Sequence, residues 1–370
     1  MSQSGKRKPV VAHVKTTYLN PTETFIYERI RHVRRYEGYV LADKVKNRDR
    51  FPYPRIYVRN RVGNAAKFLK RRRTALIHAY FGTTAVRILP MLKKTDLPLV
   101  VSLHGKDVSV KLRDRAYRKK LRAVFRRSAA VLVVSGRMKR RVLRFRCPPG
   151  KIHVVKTGVD LAKFPFRPRT PPRRGGKIRL LSVGRLVPKK GMDVLVKAFA
   201  KVRKKYRGAR LAIVGDGPER KRLKRLARKY GVRRRIRWKG ELSPRGVRKQ
   251  LRKAHIFVLA SRTARDGDME GLPNSIVEAM AAGVPVVSTN HAGIPEVLRH
   301  GRTGLMAREN SAKDLARQVV KMIKRQKRWS AWTRAARTLV EREHDIRRQA
   351  RKTERIYAKV IGARRRPEAP

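Results

Sequence analysis

Residues 183–191 combine the end of an apolar run with two cations spaced for binding an anion. Gly184 ends the run, Arg185 follows at once, and Lys190 comes five residues later, before Gly191 and a helical pattern. An Arg side chain can bind two phosphate oxygens through its planar guanidinium, and a Lys adds a point charge. The amides at the start of the next helix add positive potential. Because Lys and Arg are abundant in this chain, the segment predicts either a phosphate site or an ordinary basic loop.

A second candidate site is a pair of carboxylates eight positions apart. Glu270 and Glu278 lie on either side of a predicted helix start. Pro273, Asn274 and Ser275, between them, are residue types typical of a first helical turn. If both acids were on the helix, their carboxylates would be about 12 Å apart, whereas those of a glycosidase pair are roughly 5–9.5 Å apart. Glu270 precedes the helix, so the spacing disfavours a glycosidase pair without excluding it. Carboxylates beside exposed helix amides suit sugar hydroxyls and a phosphate; a capped surface helix with two acids is the structural alternative.

The composition predicts a two-domain protein of a reducing compartment. With 41% hydrophobic residues among 370, the chain has enough apolar material for two cores of about 150 residues each. The single cysteine, Cys147, excludes a disulfide scaffold and a thiolate zinc site. No run approaches the roughly 18 apolar residues of a membrane span. Residues 9–14 are too short an apolar run for a signal peptide.

Charge is the unusual feature of the composition. The 99 Lys and Arg against 25 Asp and Glu leave a net charge of +74. The excess is even: residues 1–170 hold 44 basic and 9 acidic side chains, and residues 171–370 hold 55 and 16. Either a general basic bias or attachment to anionic lipid or polyanionic acceptors explains such a coat. No zinc finger, aromatic RNP pair or basic zipper is present, so we expect no specific nucleic-acid partner.

The elements that must position these residues follow a repeated α/β pattern. Strands are predicted at 10–14, 76–79, 99–103 and 130–134, with a helix at 25–36; residues 163–177, rich in Pro and Gly, predict a linker. The pattern restarts with strands at 178–183, 211–214, 236–238, 256–259 and 284–288 and helices at 192–206, 219–230 and 274–282. Basic helices are predicted at 312–324 and 329–360. Apolar strands separated by helices predict parallel sheets, whose carboxyl ends bind ligands across a cleft.

The two motifs together resemble the retaining glycosyltransferases of family 4, often called group 1. Similar segments are 158–160, 215–218, 279–285, 292–296 and 301–305, so that the resemblance covers most of the chain and is densest from 178 to 306. It implies an α/β, GT-B fold of two Rossmann-like domains facing across a cleft. The implied parts are an acceptor-side domain (1–165), a linker (166–177), a nucleotide-sugar domain (178–340), and a helix that packs back toward the first domain and ends in a basic tail (341–370).

The resemblance assigns roles to the residues of the second half. Arg185 and Lys190 would hold the donor diphosphate and stabilise it as it leaves, and Glu270 would contact the donor sugar. Glu278 would bind the ribose hydroxyls. The other donor-binding residues implied are Gly184, Asn274, Ser275, and, beside the base, Glu241 and Leu242.

Two segments of the first half also resemble the family. Residues 103–107 match its His-Gly-x-Asp loop, which would place His104 beside the donor sugar; without the resemblance, a lone histidine at a strand end is more often structural. Residues 20–26 stand where many members carry a Gly-Gly pair. They resemble the Ser-Glu-Thr-Phe opening of the exopolysaccharide and colanic-acid-type branch, as do residues 78–82. An acceptor-side loop of Thr22, Glu23 and Thr24 is implied.

In such a retaining enzyme the donor's own phosphate can take the acceptor proton, so no nucleophile–base pair is needed, and the sequence suggests none. Asp266 and Asp268 form an Asp-x-Asp triplet, which binds a metal in the other major glycosyltransferase fold. The family resembled here binds none, so we expect neither a metal nor a cofactor.

The partners implied are a nucleotide-diphosphate sugar, a saccharide or lipid-linked saccharide acceptor in envelope or exopolysaccharide synthesis, and an anionic membrane surface at the inner face of the plasma membrane. The alternatives are a sucrose- or trehalose-type synthase on the same fold, and a polyanion-binding protein on an inactive transferase scaffold. Loss of Arg185, Lys190, Glu270 or Glu278 would favour the inactive scaffold, and all four are present.

Overall fold

The computed structural model describes residues 7–173 and 175–365, with side chains as far as residue 363. The chain forms two compact units. Of the described residues, 7–158 and 346–365 form unit 1, and those between Val159 and Asp345 form unit 2. In the part of the chain that the structure describes, no helix is both long and apolar enough to cross a membrane.

Unit 1 contains a seven-stranded parallel sheet in the order β3-β2-β1-β4-β5-β6-β7. Its strands are β1 (Val10–Tyr18), β2 (Glu37–Val45), β3 (Ile56–Val58), β4 (Thr74–Tyr80), β5 (Leu99–Leu103), β6 (Ser128–Val133) and β7 (Ile152–Val154). Its first six helices are α1 (Thr24–His32), α2 (Ala65–Arg71), α3 (Gly82–Arg87), α4 (Leu89–Leu92), α5 (Arg115–Arg127) and α6 (Gly136–Arg144).

The strands of unit 1 are apolar runs because helices cover both faces of the sheet. Every residue of β5 is buried, and its bounds are those predicted. The long strand β2 was not predicted, because Glu37, Asp43 and Lys44 flank its four buried central residues and interrupt the apolar pattern. Its start at Glu37 also explains why α1 ends at His32, four residues before the predicted end.

Unit 2 contains a six-stranded parallel sheet in the order β10-β9-β8-β11-β12-β13. Its strands are β8 (Arg179–Val183), β9 (Arg210–Val214), β10 (Ile236–Trp238), β11 (Ile256–Val258), β12 (Val286–Thr289) and β13 (Leu305–Ala307). Its helices are α7 (Met192–Lys205), α8 (Arg220–Lys229), α9 (Pro244–Lys253), α10 (Asn274–Ala281), α11 (Ala312–Lys324) and α12 (Trp329–Glu343). All five predicted strands of this half are present.

The helix predicted over 329–360 is two helices, α12 and α13 (Ile346–Arg365). The break coincides with the return of the chain from unit 2 to unit 1. In unit 1, α13 is fixed by polar contacts: the Tyr357 hydroxyl lies 2.5 Å from His78 Nδ1, and Glu354 accepts hydrogen bonds from the amides of Arg34 and Arg35. Residues 366–370, the end of the predicted basic tail, lie outside the described residues.

The division between the units falls at 158 and 345, whereas the sequence placed the domain limits at 165 and 340. The first and last segments of unit 2 are paired with each other. The Val159 N–H donates to the His344 carbonyl at 2.7 Å, and Val159 forms a β-bridge with Asp345, so both residues belong to unit 2. The described part of the predicted linker lies on unit 2, where the Arg169 guanidinium donates to the carbonyls of Leu251 and Ala254. Residue 174 of that linker lies outside the described residues.

The strand order reverses once in each sheet, between β1 and β4 in unit 1 and between β8 and β11 in unit 2. In open α/β sheets, ligands bind beyond the carboxyl ends of the strands at such reversals. The loops after β1, β4, β8 and β11 are therefore the candidate sites, and most of the predicted residues lie on them or on the helices that follow them.

Candidate functional site

The loop after β8 packs directly on the chain that follows β11. Gly191 is left-handed, with φ +59°, and a Cβ there would lie 1.9 Å from the Ala260 carbonyl oxygen, so only glycine fits. Gly184 leaves room in the same way for the stem of Lys190, whose Cδ and Cε lie 3.3 Å from the position of an added Cβ. Both predicted glycines therefore allow the β8 loop to approach its neighbours closely.

This packing places Lys190 against Glu270, although the two are eighty positions apart. The Lys190 Nζ lies 3.2 Å from Glu270 Oε1, and both side chains are largely buried. Burial by itself raises the pKa of Glu270, but the charges of Lys190 and Lys189 outweigh it and hold the pKa below its usual range. A carboxylate can accept several hydrogen bonds, so beyond its contact with Lys190 this ionised group can still accept a hydroxyl hydrogen from a ligand.

Lys189, for which no role was predicted, pairs with Asp268, the second acid of the Asp-x-Asp triplet. Its Nζ lies 3.1 Å from Asp268 Oδ2 and donates to the Met269 carbonyl at 3.3 Å. Asp266 Oδ1 accepts the Asp268 N–H at 2.9 Å. Because Lys189 and Lys190 lie in one 3-10 turn, their side chains diverge and reach different acids. The triplet therefore holds the loop that leads to Glu270.

Arg185 lies at the carboxyl end of β8 and is exposed. Within the described ranges its guanidinium forms no hydrogen bond or ion pair, in contrast to Lys189 and Lys190 beside it. A long cationic side chain with no protein partner, next to a strand-order reversal, is available to bind an anionic ligand.

The start of α10 lies beside the end of β8. The Ser275 hydroxyl donates to the Val183 carbonyl at 3.0 Å, so it holds the helix in place and is not available as a ligand donor. Pro273 precedes the helix and no side chain caps it. The backbone amides of Asn274 and Ser275 have no acceptor in the described part of the chain and form the positive end of the helix.

Glu278, on the second turn of α10, has a pKa opposite in direction to that of Glu270. Burial raises the pKa of Glu278 to about 7, and the charge of Arg248 offsets only part of this effect. At neutral pH the carboxyl group of Glu270 is thus ionised, and that of Glu278 is close to half protonated. The two acids are chemically distinct, as residues with separate ligand contacts would be.

Glu241 and Leu242 lie farther along the same edge of the sheet, after β10. The loops after β9 and β10 are adjacent, because the Gly215 N–H donates to the Gly240 carbonyl at 2.7 Å. Glu241 is exposed, whereas Leu242 is half-buried and packs against the hydrophobic core of unit 2. One strand, β9, lies between β10 and β8, whose loop carries Lys190.

In unit 1, Asp107 shapes the loop that carries His104. It is 1% exposed and accepts hydrogen bonds from the amides of Gly82, His104 and Gly105. Burial raises the pKa of Asp107, and these amide hydrogen bonds oppose the shift. The Asp of the His-Gly-x-Asp segment thereby connects the loop after β5 to the start of α3, after β4.

The His104 ring lies between two aromatic rings, those of Phe25 and Phe81, with centroid distances of 4.8 and 4.9 Å. Burial, and then the charges of Arg29 and Lys15, lower the pKa of His104 well below its ordinary value, so the ring is neutral. Its Nε2 is buried and has no hydrogen-bond partner among the described residues. A buried ring nitrogen without a partner is unfavourable unless a ligand supplies one.

The loop after β1 is held from inside by a residue that the sequence placed toward the acceptor. Glu23 is buried; its Oε1 pairs with Lys15 Nζ at 2.8 Å and its Oε2 accepts the Asn20 N–H at 2.8 Å. Lys15 also lies 4.2 Å from the centroid of the Phe81 ring. Thr22 is exposed and Thr24 begins α1. Of the three predicted loop residues, Glu23 therefore has a structural contact.

Phe81 is a further residue of this region for which no role was predicted. It has φ +74°, a conformation that bulky side chains rarely adopt, and it lies directly after β4 at the strand-order reversal. Its ring contacts both His104 and Lys15. Backbone strain of this kind is often found at functional sites.

Comparison with known proteins identifies the family and the fold. Residues 22–163 match the model of glycosyltransferase family 4, and residues 164–339 match that of the glycosyl transferases group 1. WcaL of Salmonella typhimurium, assigned to colanic acid biosynthesis, is 35% identical over 243 residues, which are 65% of this chain and 59% of WcaL. The amylovoran biosynthesis glycosyltransferase AmsK of Erwinia amylovora is 31% identical over 268 residues, 72% of this chain and 65% of AmsK.

The matched region spans less than two thirds of the length of these relatives. Among solved structures, HepE of Anabaena, in complex with UDP, superposes with a TM-score of 0.81, covering 95% of this chain and all of HepE at 17% identity. At that identity the likeness shows the fold, which is GT-B. With its two consecutive domains matched from residue 22 to residue 339, the chain belongs to the group 1 glycosyltransferases of family 4.

Proposed function

We propose that the chain transfers a sugar from a nucleotide-diphosphate sugar to a saccharide acceptor in the synthesis of envelope or extracellular polysaccharide. The observation that carries the proposal is a cluster in unit 2: Arg185, which has no side-chain partner among the described residues, lies in the same loop as Lys190, and Lys190 pairs with Glu270. Family membership supports it. WcaL is described as a glycosyltransferase of colanic acid biosynthesis and AmsK as one of amylovoran biosynthesis, and HepE has been solved with UDP-glucose.

The proposed donor site uses charge to bind the diphosphate. Arg185 and Lys190 contact its oxygens, and the amides of Asn274 and Ser275 add neutral donors at a helix start. Gly184 keeps the approach open. Glu278 binds the ribose hydroxyls, and Glu241 and Leu242 lie toward the base.

The proposed chemistry is stabilisation of the leaving group. As the bond between sugar and phosphate breaks, negative charge grows on the diphosphate, and preorganised cations stabilise it most when they need not reorient. Lys190 is held in place by Glu270 before the donor arrives. Glu270 is ionised, and because a carboxylate accepts more than one hydrogen bond, it can bind a hydroxyl of the donor sugar while it pairs with Lys190.

We propose retention of configuration, with the donor phosphate taking the acceptor proton, and no need for a metal. The pairing of Asp268 with Lys189 supports metal independence, because an ammonium already neutralises that carboxylate. His104 is proposed to bind a hydroxyl of the transferred sugar through Nε2, which is buried without a partner. The exposed Thr22 and the start of α1 at Thr24 are proposed to face the acceptor.

The charge of +74 supports a peripheral position at an anionic membrane, where a lipid-linked acceptor resides. We place the protein on the cytoplasmic face, where nucleotide sugars are supplied. A sucrose- or trehalose-type synthase on the same fold would use a small free sugar as acceptor, and an inactive polyanion-binding scaffold would use none.

The test is a ligand screen followed by a transfer assay. UDP, GDP, ADP and their sugars are compared by thermal shift, because a ligand that binds the native state raises its unfolding temperature. The best donor is then offered to lipid-linked saccharides and to free hexoses and their phosphates, with and without excess EDTA, and the product's anomeric configuration is read by NMR. We expect transfer to a lipid-linked saccharide with retention in EDTA. Transfer to free hexose alone would favour the synthase, and the absence of both binding and transfer would refute the proposal.

A further inference from the structure

His291 connects the backbone of Glu270 to a second carboxylate, that of Glu309. It follows β12, and its side chain is wholly buried. The Glu270 N–H lies 3.3 Å from His291 Nε2, and His291 Nδ1 lies 3.0 Å from Glu309 Oε2. Glu309 Oε1 in turn accepts the Thr263 N–H at 2.5 Å. Of the four residues in these three contacts, Glu270 is the one that also pairs with Lys190.

These contacts determine the tautomer of His291. The Glu270 N–H can only donate, so Nε2 must be the unprotonated acceptor. Nδ1 then carries the ring proton and donates it to Glu309. Glu309 thus selects the form of the ring that can bind the Glu270 backbone, and this is the minor neutral tautomer of histidine in water.

Glu270 needs such support because of its place in the chain. Residues 259–273, between β11 and α10, contain no helix or strand. Lys189 holds this segment through Asp268, and Arg262 holds it by donating to the Pro188 carbonyl at 3.0 Å and to Asp193. Within the described ranges, the His291 contact is the one hydrogen bond to the backbone of Glu270, the residue whose carboxylate meets Lys190.

We propose that His291, oriented by Glu309, is a positioning residue for the transfer reaction: it fixes the Glu270 backbone so that the Glu270 carboxylate stays against Lys190. The proposal rests on the proposed function in one respect, the role of Glu270 at the donor sugar. It predicts that losing the acceptor at Nε2 lowers turnover without affecting binding of the nucleotide part of the donor.

Two substitutions separate the two hydrogen bonds. In His291→Gln the amide oxygen can take the place of Nε2 and still accept the Glu270 N–H. In His291→Asn the shorter amide reaches only the place of Nδ1, so the contact with Glu309 is kept and that with Glu270 is lost. Both variants carry an amide, and they differ in which hydrogen bond is kept, that with Glu270 or that with Glu309.

We expect His291→Asn to lower kcat by roughly 10- to 100-fold, the scale of small misplacements in an active site. His291→Gln should recover most of that loss. The affinity for the nucleoside diphosphate alone, measured by calorimetry, should be unchanged in both variants, and thermal unfolding should show that both are folded. Wild-type kcat in His291→Asn, or equal loss in both folded variants, would overturn the proposal.

A second readout does not depend on activity. In the ligand-free chain labelled with 15N-histidine, long-range 1H–15N correlation reports which ring nitrogen of His291 bears the proton, with His291→Asn identifying the signal. We expect the proton on Nδ1, and we expect the Glu270 amide to exchange faster in His291→Asn than in His291→Gln. A proton on Nε2, or equal exchange, would overturn the proposal. If the wild-type chain transfers no sugar, the proposed function fails, and these two measurements still decide whether His291 holds Glu270.

Discussion

Lys190 and Glu270 form a largely buried ion pair, with Nζ 3.2 Å from Oε1. They come from the loops after β8 and β11, which are neighbours in the sheet although their strands are far apart in sequence. Each charge makes the burial of the other tolerable. In the proposed reaction the same lysine also contacts the leaving diphosphate, so Lys190 stabilises both the fold and the charge that develops during transfer. Arg185, which has no side-chain partner among the described residues, would stabilise only the diphosphate.

Arg185→Ala should therefore impair activity without changing stability. Losing one electrostatic donor costs about 2–4 kcal/mol of transition-state stabilisation. The free energy of unfolding should be unaffected because the side chain is exposed and forms no hydrogen bond or ion pair with the described residues. Steady-state kinetics and urea unfolding check both parts, with the exposed Arg228→Ala as the control. Near-full turnover in Arg185→Ala would show that Arg185 does not bind the phosphates.

Lys190→Ala should impair both activity and stability. Breaking a buried pair by removing one partner costs about 3–5 kcal/mol, because the other charge is left uncompensated. Without Lys190 the pKa of Glu270 rises, so the loss of stability should be greater at pH 8 than at pH 5. The double variant Lys190→Met, Glu270→Gln should regain stability but not turnover. A Lys190→Ala protein as stable as wild type would mean that the ion pair contributes nothing to the fold.

Glu278 should make stability fall as pH rises. Its pKa is about 7 in the folded protein and 4.5 as an ordinary value, so between these limits the folded state holds a proton that the unfolded state has lost. Stability from this group is complete below about pH 4.5 and decreases as pH rises toward 7. Urea unfolding at pH 4.5 and pH 8 should show a smaller loss in Glu278→Gln than in wild type. Identical losses would contradict the raised pKa; exposed Asp49→Asn serves as the control.

His104→Phe should lose activity while remaining at least as stable as wild type. The substitution keeps an aromatic ring between Phe25 and Phe81 and removes a buried nitrogen without a partner, which costs about 1–3 kcal/mol in the folded state. Kinetics and thermal unfolding together test this expectation. A marked loss of stability would show that His104 is a structural residue. Full activity would remove it from the sugar site.

The charge coat should bind anionic vesicles more persistently than DNA. Binding of DNA by an even coat depends on counterion release, so it should collapse as salt rises and should not depend on base sequence. Vesicle binding gains about 1 kcal/mol for each basic side chain near the surface, and apolar side chains add a component that salt does not remove. Both are titrated from low salt to physiological ionic strength. Tight binding of one particular DNA sequence at the upper end, without vesicle binding, would favour the polyanion-binding alternative.

Local pattern was enough to predict much of the fold. The strand β5 and the helix α11 have the predicted bounds because their signals, a continuous apolar run and a 3.6-residue period, are complete within the segment. The proposed anion and sugar site could likewise be predicted from local sequence, because Arg185 and Lys190 lie in one short segment and Glu270 and Glu278 lie in another. The helix break at 344–345 was not predictable, because the contacts of His344 and Asp345 are with Val159, almost two hundred positions away.

Sequence by itself determined which residue types are available at each strand end, and tertiary structure decided which of them meet. Both Lys189 and Lys190 are in the sequence, but strand order and the 3-10 turn pair the first with Asp268 and the second with Glu270. The links from Glu23 to Lys15 and from His291 to Glu270 arise in the same way. The periodicity of a sequence shows which residues of one helix or strand are buried. It does not show which strands are neighbours, and these contacts depend on that. That choice is made only when the sheets assemble, and it brings distant loops to one edge.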